Sequence, residues 1–124
     1  MYSLDTHIVV WLYQKSLKLL STKAIQAIED NEVFISPMVL LELEYLFEIR
    51  RIKDDSHTIT GYLHEKIALT IDNNDFEAII NTSINEKWTR DPFDRIITAH
   101  WKYKNAFLIS KDETITLNYP KTIF

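Results

Sequence analysis

Short apolar segments alternate along this chain with longer segments whose apolar residues recur at helical spacing. Residues 33–35 and 107–109 are two of the short segments, and polar residues that can start a helix follow each of them. This alternation is typical of an α/β domain, in which helices connect the strands of a mainly parallel sheet. The 124 residues are enough for one domain, and neither a linker nor a repeat divides them. We therefore expect a single α/β domain over residues 1–124.

The pattern also predicts where the strands and helices lie. Ser36-Pro37 and Asp91-Pro92 each combine a capping side chain with a proline suited to the first helical position. Strands are predicted over residues 2–4, 33–35, 67–71 and 107–109, with an edge strand over 122–124. Helices are predicted over residues 7–13, 21–29, 37–51 and 57–63, then from Asp72 or Asn74, from Pro92 through Trp101, and as a short turn from Thr114.

Composition excludes several functions. Gly61 is the only glycine, so the chain has neither a P-loop nor a dinucleotide fingerprint, and we expect no nucleotide cofactor held in those ways. Cysteine is absent, which excludes disulfide scaffolds, thiolate metal sites and a thiol nucleophile. No apolar run approaches the ~18 residues of a membrane span, so we expect a cytoplasmic protein without a membrane partner. The net charge is −4, so any nucleic-acid partner requires a local basic surface or a metal ion.

Four carboxylates occupy special positions in the predicted elements. Asp5 and Asp112 directly follow predicted strands, Glu42 lies inside the helix that Pro37 opens, and Asp94 lies beside Asp91 at a helix start. In open parallel sheets the ligand crevice lies outside the carboxyl ends of the strands. Asp5 and Asp112 should therefore face one shared space if their strands are neighbours.

A structural explanation stands beside the functional one for each aspartate. Asp5, Asp91 and Asp112 each have the position of a helix N-cap, and Asp94 suits the positive end of a helix dipole. For a single aspartate considered alone, the capping role is the better prediction.

Glu42 is different because a helical wheel surrounds it with apolar residues. No Lys or Arg lies on its face within one turn, and a buried carboxylate without a partner either takes up a proton or finds a cation. We expect another element to supply the cation, for example Arg95, or a metal ion to bind. The apolar neighbours on this face are Met38, Tyr45, Leu46 and Ile49.

Converging carboxylates have a chemical use that separate helix caps do not. Hard divalent cations such as Mg²⁺ and Mn²⁺ take carboxylate and water oxygens, and bound ions can activate water and clamp a phosphodiester. Serine or threonine hydrolase chemistry is poorly supported, since no nucleophile elbow is present. A zinc site lacks its cysteines and the spaced histidine pair. A phosphoacceptor receiver module stays open, with Asp72 and Lys111 in supporting roles, although only one acid follows the first strand.

The basic residues form two short runs, and by default each is a solvated surface. In a nuclease they would instead contact phosphates near the acidic residues. The runs consist of Arg50, Arg51 and Lys53, and of Lys102, Lys104 and Lys111.

Four blocks of this chain resemble segments of the PIN domain (PilT N-terminus) family, in particular the VapC-type toxins of bacterial toxin–antitoxin pairs. The blocks cover residues 2–7, 35–43, 90–99 and 107–112. The third, which begins Arg90-Asp91-Pro92-Phe93-Asp94-Arg95, is the most specific. Two departures concern substrate choice: Thr89 stands where relatives often have histidine, and Trp101 where a small residue is common.

The resemblance implies a three-layer α/β/α sandwich around a short, mainly parallel sheet, and Mg²⁺- or Mn²⁺-dependent cleavage of single-stranded RNA. It also implies two protein partners, a second copy of the chain and a cognate antitoxin. The rival interpretation is a catalytically silent PIN-like module that binds RNA or protein. By resemblance, Asp5, Glu42, Asp94 and Asp112 hold the metal and carry catalysis, with Thr6, Asp91 and Arg95 in auxiliary roles.

Overall fold

The computed structural model describes residues 1–124 and contains five short strands and seven helices, with a 3₁₀ turn at Leu17–Leu19. The strands are β1 Tyr2–Leu4, β2 Val33–Ile35, β3 Thr70–Ile71, β4 Phe107–Ile109 and β5 Thr122–Ile123. The helices are α1 Thr6–Tyr13, α2 Thr22–Asp30, α3 Pro37–Glu48, α4 Ser56–Ile67, α5 Phe76–Ile84, α6 Pro92–Lys104 and α7 Glu113–Asn118. None of these helices has the length and apolar character needed to span a bilayer.

The five strands form one sheet in the order β3-β2-β1-β4-β5, and every neighbouring pair is parallel. Right-handed crossovers carry α1 to α4 over one face and α5 to α7 over the other, because the chain reverses direction across the sheet after β3. The expected three-layer α/β/α sandwich is thereby confirmed. The order differs from the 2-1-3-4-5 order of flavodoxin-like receivers, so the receiver interpretation is excluded.

The hydrophobic core lies on both faces of this sheet. Leu4, Ile35 and Leu108 are fully buried strand residues, and Trp101 of α6 is the largest fully buried side chain. Strands this short contribute few hydrogen bonds, so packing of the helices against the sheet supplies much of the stabilisation.

The two helix starts marked by proline are confirmed. The Ser36 side chain accepts a hydrogen bond from the backbone N–H of Met38 at 3.1 Å, and Pro37 is the first residue of α3. The Asp91 side chain caps α6 in the same way, with Pro92 at the first position. These starts were predictable because they depend on neighbouring residues alone.

Three boundaries predicted from the sequence are wrong. Ile67, expected in the third strand, is the last residue of α4, and Ala68 then ends the helix with a φ of 57°, so that β3 begins only at Thr70. A short apolar run fits either period, and here Ile67 continues the stripe of Leu63 against the core. Helix α3 ends at Glu48 rather than near residue 51, because Arg50 takes a left-handed φ of 62°. The 3₁₀ turn was not predicted.

Candidate active site

The central strands bring Asp5 and Asp112 together. Strands β1 and β4 are neighbours, and the backbone N–H of Asp5 donates to the carbonyl of Ile109 at 3.0 Å. The Ser110 hydroxyl donates to Asp5 Oδ2 at 2.7 Å and accepts from the backbone N–H of Asp112 at 3.1 Å. One buried serine therefore joins the two acids at the point where successive crossovers leave in opposite directions, which is where open α/β sheets bind ligands.

Thr6 connects Asp5 to Glu42. Its backbone N–H donates to Asp5 Oδ1 at 2.8 Å, and its hydroxyl donates to Glu42 Oε1. Both oxygens of Asp5 are thus held by protein donors, and Asp5 is buried. Its hydrogen bond to the first N–H of α1 differs from the usual cap bond to the second or third N–H, so capping alone does not explain this aspartate.

Glu42 is less enclosed than the helical wheel suggested. The fully buried face of α3 is formed by Val39 and Leu43, whereas Tyr45 and Ile49, on the side of Glu42, are 46% and 45% exposed. Glu42 is half-buried at the border between the two faces. Burial still raises the pKa of its carboxyl, although the Thr6 hydroxyl lowers it in part.

Asp91 has the structural role of a helix cap, whereas the carboxylate of Asp94 takes no part in capping. The Asp91 side chain accepts from the backbone N–H groups of Phe93 at 2.8 Å and Asp94 at 3.3 Å, which is helix capping. Asp112 likewise caps α7 by accepting from the N–H of Ile115 at 2.9 Å, although it also lies beside Asp5. Asp94 is half-buried, and its carboxylate accepts no hydrogen bond.

The environment of Asp94 shows that the acids converge. Burial, together with the nearby negative charges of other carboxylates, raises the pKa of its carboxyl to about 7. Those carboxylates belong to Asp91, Asp5, Asp112 and Glu42. The structure thus brings all four predicted acids within electrostatic range of one another.

None of the four acids forms a salt bridge with a cationic side chain of the protein. All the ion pairs lie elsewhere: Asp72 pairs with His100 and Lys104, and Glu86 pairs with Lys102. Burial also raises the pKa of Asp5, against the opposing hydrogen bonds from Ser110 and Thr6. The site consequently favours protons or a bound cation, since like charges at close range are unfavourable.

The donor chemistry of the site fits a hard divalent cation. Every candidate ligand is an oxygen of Asp5, Glu42, Asp94, Asp112 or the Thr6 hydroxyl, and such ions prefer oxygen. In their present orientations no three acidic or histidine side chains form a complete metal-binding group. Mg²⁺ commonly takes only one or two carboxylates and completes its shell with water and substrate phosphate, so the donor set remains suitable.

Arg95 forms no hydrogen bond or salt bridge with Glu42 or the other acids of the site, although the sequence suggested it as a cation for them. Its Nε donates to the carbonyl of Ser83 at 2.8 Å and its guanidinium also donates to the carbonyl of Ile84 at 3.1 Å. Arg95 therefore donates to backbone carbonyls at the end of α5 and makes no hydrogen bond to the carboxylates of the site. The physical reason is its position on α6, whose long contact with α5 directs this side chain towards the end of that helix.

Sequence reasoning assigned no role to two residues at this site, Ser110 and His7. Ser110 follows β4 directly and could have been identified as a hydroxyl at a strand end. His7 is exposed and, with Trp11 and Lys111, lines a hollow of about 270 Å³ that also contains Asp5 and Asp112. The charge of His7 lowers the pKa of both Asp5 and Glu42.

The raised pKa of Asp94 predicts a pH-dependent stability. The folded protein binds this proton more tightly than the unfolded chain between the ordinary pKa of 3.8 and about 7. The stabilisation is therefore complete below the ordinary pKa and is lost as the pH rises through about 7. Without added metal, the free energy of unfolding of Asp94→Asn, relative to that of the wild type, should rise by about 1–2 kcal/mol when the pH is raised from about 5 to about 8. This figure allows for solvent screening of the half-buried carboxylate. Urea unfolding at both pH values measures this difference, and an equal stability difference at both values would contradict it.

Comparison with known proteins gives a family match, several similar solved structures and one negative result. The family model described as PIN domain matches residues 2–117. The solved structure of VapBC2 from Rickettsia felis, bound to a DNA fragment from their promoter, contains a chain with 18% sequence identity to this one and a TM-score of 0.67. The match covers 98% of this chain and 95% of that chain, and at this identity it supports the fold alone. No curated protein matches the sequence.

Proposed function

This chain belongs to the PIN domain family, and we propose on that basis that it is a Mg²⁺- or Mn²⁺-dependent endoribonuclease that cleaves single-stranded RNA. The observation that carries the proposal is the half-buried carboxylate of Asp94, which faces four other carboxylates and has neither a hydrogen-bond donor nor a cationic partner. Aspartates that only cap helices would have no reason to lie close to one another, because each acts on its own helix. A divalent ion would relieve the repulsion and could also activate water and clamp a phosphodiester.

In the proposed nuclease, some residues bind the metal and others orient those ligands. Asp5, Glu42, Asp94 and Asp112 would hold one or two ions, which when bound polarise the scissile phosphate and lower the pKa of an attacking water. Thr6 and Ser110 fix the orientations of Glu42 and Asp5 through the hydrogen bonds described above. Asp91 holds the start of α6 and so positions Asp94. Lys111 supplies positive charge beside the hollow at Asp5, which His7 also lines and where a phosphate could approach.

We further propose that the chain is the toxin of a toxin–antitoxin pair, acts in the cytoplasm, and has a cognate antitoxin and a second copy of itself as partners. The similarity in fold to a chain of a VapBC complex supports the antitoxin partner. A short open reading frame beside the gene, encoding a DNA-binding segment and a tail, is the expected genomic context. Co-expression of that reading frame should suppress cleavage by this chain, and co-purification of the two proteins measures the association.

One observation favours the second candidate function, a PIN-like module that binds RNA or protein without turnover. No three of the acidic side chains form a complete metal-binding group as oriented. The two candidates differ in whether RNA is cleaved, so an RNA cleavage assay with Mn²⁺ separates them, whereas metal binding by the free protein tests the acidic site itself.

We expect Mn²⁺ and Mg²⁺ to raise the thermal unfolding midpoint of the wild type, because an ion that binds only the folded state stabilises it by mass action. At a hundred times Kd the gain is about 2.7 kcal/mol. Glu42→Gln should lose most of this gain, since the amide oxygen is a weaker ligand than a carboxylate. The matched control is Glu48→Gln, which removes an exposed carboxylate from the same helix and should keep the full metal response. Equal responses of both variants would remove Glu42 from the metal site.

A further inference from the structure

An aromatic pair lies at the edge of the acidic site and is open to solvent. The Tyr45 ring is 46% exposed, and its centroid lies 5.7 Å from that of Phe93 with an interplanar angle of 32°. Tyr45 follows Glu42 by one helical turn, and Phe93 directly precedes Asp94. The pair therefore connects the two helices that carry these acids. The sequence placed Tyr45 among the apolar neighbours of Glu42, whereas the structure leaves nearly half of this residue exposed.

Three cations without partners lie beyond the end of α3. Arg50, Arg51 and Lys53 are all exposed, and none of them takes part in the ion pairs or side-chain hydrogen bonds of the protein. The nearby acid Asp54 is engaged by the Tyr13 hydroxyl at 2.8 Å. In a chain of net charge −4, this loop is a concentrated positive surface. We call residues 50–53 the cationic loop.

Helix α3 connects the acidic site to the cationic loop along one exposed strip. Tyr45 and Ile49 follow Glu42 at helical spacings of three and seven, so all three lie on one side of the helix. Glu42 lies six residues before the end of α3 at Glu48, which is about 9 Å along the helix axis, and the cationic loop begins two residues after that end. The strip thus begins at carboxylates, passes an aromatic pair and ends at free cations.

We infer that single-stranded RNA lies along this strip, with one base stacked on the Tyr45–Phe93 pair and phosphates held by the cationic loop, an inference that rests on the proposed nuclease function. Sequence-tolerant binding of a single strand combines stacking on aromatic rings with positive charge along the backbone. The acidic site itself repels phosphates in the absence of metal, so affinity for RNA has to come from charge outside it. A protein partner on this strip is the competing occupant, and the three unpaired cations favour RNA because each can neutralise a backbone phosphate.

The cationic loop is tested by measuring RNA affinity against salt concentration. The probe is a fluorescein-labelled oligouridine, with EDTA present so that no cleavage occurs. Replacement of Arg50, Arg51 and Lys53 by glutamine should weaken binding tenfold or more, and should lower the slope of log K against log salt by about 2, at about 0.7 per lost phosphate contact. The matched control replaces three exposed lysines elsewhere, Lys18, Lys23 and Lys66, and should keep both affinity and slope. Equal losses in the two triple variants would overturn the assignment to this loop.

The aromatic pair is tested by comparing Tyr45→Ala with Tyr45→Phe. Stacking of one base predicts a loss of about fivefold to a hundredfold in oligouridine affinity for Tyr45→Ala, and little loss for Tyr45→Phe, which keeps the ring. Inorganic polyphosphate is the second probe, because it carries phosphates without bases. Its affinity should be unchanged in both Tyr45 variants and reduced in the triple cationic-loop variant. A Tyr45→Ala protein that binds oligouridine normally, or that loses both probes equally, would overturn the stacking role.

Failure of this inference can be distinguished from failure of the proposed function. If the wild type cleaves RNA but the cationic-loop and Tyr45 variants keep their KM, the RNA follows another path across the protein. The proposed nuclease function would then still hold, and only this inference would be wrong. We expect instead a raised KM with kcat retained. If these variants change the oligomeric state in sedimentation while RNA affinity is unchanged, the strip is a protein interface and the inference is wrong.

Discussion

Replacing Asp94 with asparagine is expected to reduce RNA cleavage by at least about a hundredfold while leaving the fold intact. The carboxylate is half-buried, faces four other acids and makes no hydrogen bond that the fold requires. Stabilisation of the transition state by a bound ion is worth several kcal/mol, and each 1.36 kcal/mol is about tenfold in rate. The neutral amide keeps the shape of the side chain but removes the charge that would hold the ion in the proposed nuclease. Asp5→Asn should show a loss of the same order.

The matched control for Asp94→Asn is Asp75→Asn. Asp75 also stands at a helix start, where its side chain accepts from the N–H of Ala78 at 3.2 Å, but it takes no part in the candidate site. Asparagine caps helices about as well as aspartate, so this variant should cleave RNA at the wild-type rate. Cleavage is measured with saturating Mn²⁺ on total RNA, and near-normal activity of Asp94→Asn would remove this residue from the catalytic group.

Trp101→Ala is expected to be the most destabilising single substitution, at about 3–5 kcal/mol. The Trp101 side chain is fully buried in the core, and its ring centroid lies 4.3 Å from that of His100. The cavity left by an indole cannot close, because the Tyr119 hydroxyl fixes the surrounding backbone by donating to the Trp101 carbonyl at 3.0 Å. Most domains have only about 5–15 kcal/mol of stability, so this loss is a large share of the total.

Trp101→Phe separates packing from hydrogen bonding at the same position. The indole Nε1 is buried and has no hydrogen-bond partner, so phenylalanine loses volume but no bond. We expect a cost of about 1–2 kcal/mol, well below that of alanine. Urea midpoints at constant m-value measure both variants. A phenylalanine variant as unstable as the alanine variant would contradict the view that packing of the ring is the main contribution of Trp101.

The sequence by itself determined the features that depend on neighbouring residues. Ser36-Pro37 and Asp91-Pro92 fixed the starts of α3 and α6, because capping and a preset proline φ act within one turn. The position of Asp5 and Asp112 after short apolar strands was equally local, and the parallel class of the sheet followed from the alternation of elements. The motif around Asp94 also sufficed for the family, which the match over residues 2–117 confirms.

The tertiary structure alone decided what depends on residues far apart in sequence. Strand order put β1 beside β4, and only then could the Ser110 hydroxyl join Asp5 and Asp112. Packing of α6 against α5 drew Arg95 away from the acids, although its position in the motif suggested a role among them. The exposed side of α3 was likewise hidden from the helical wheel, because a wheel shows which residues share a face but not which face a neighbouring element covers. Such contacts arise from loop closure and packing across the whole chain, and local spacing carries no information about them.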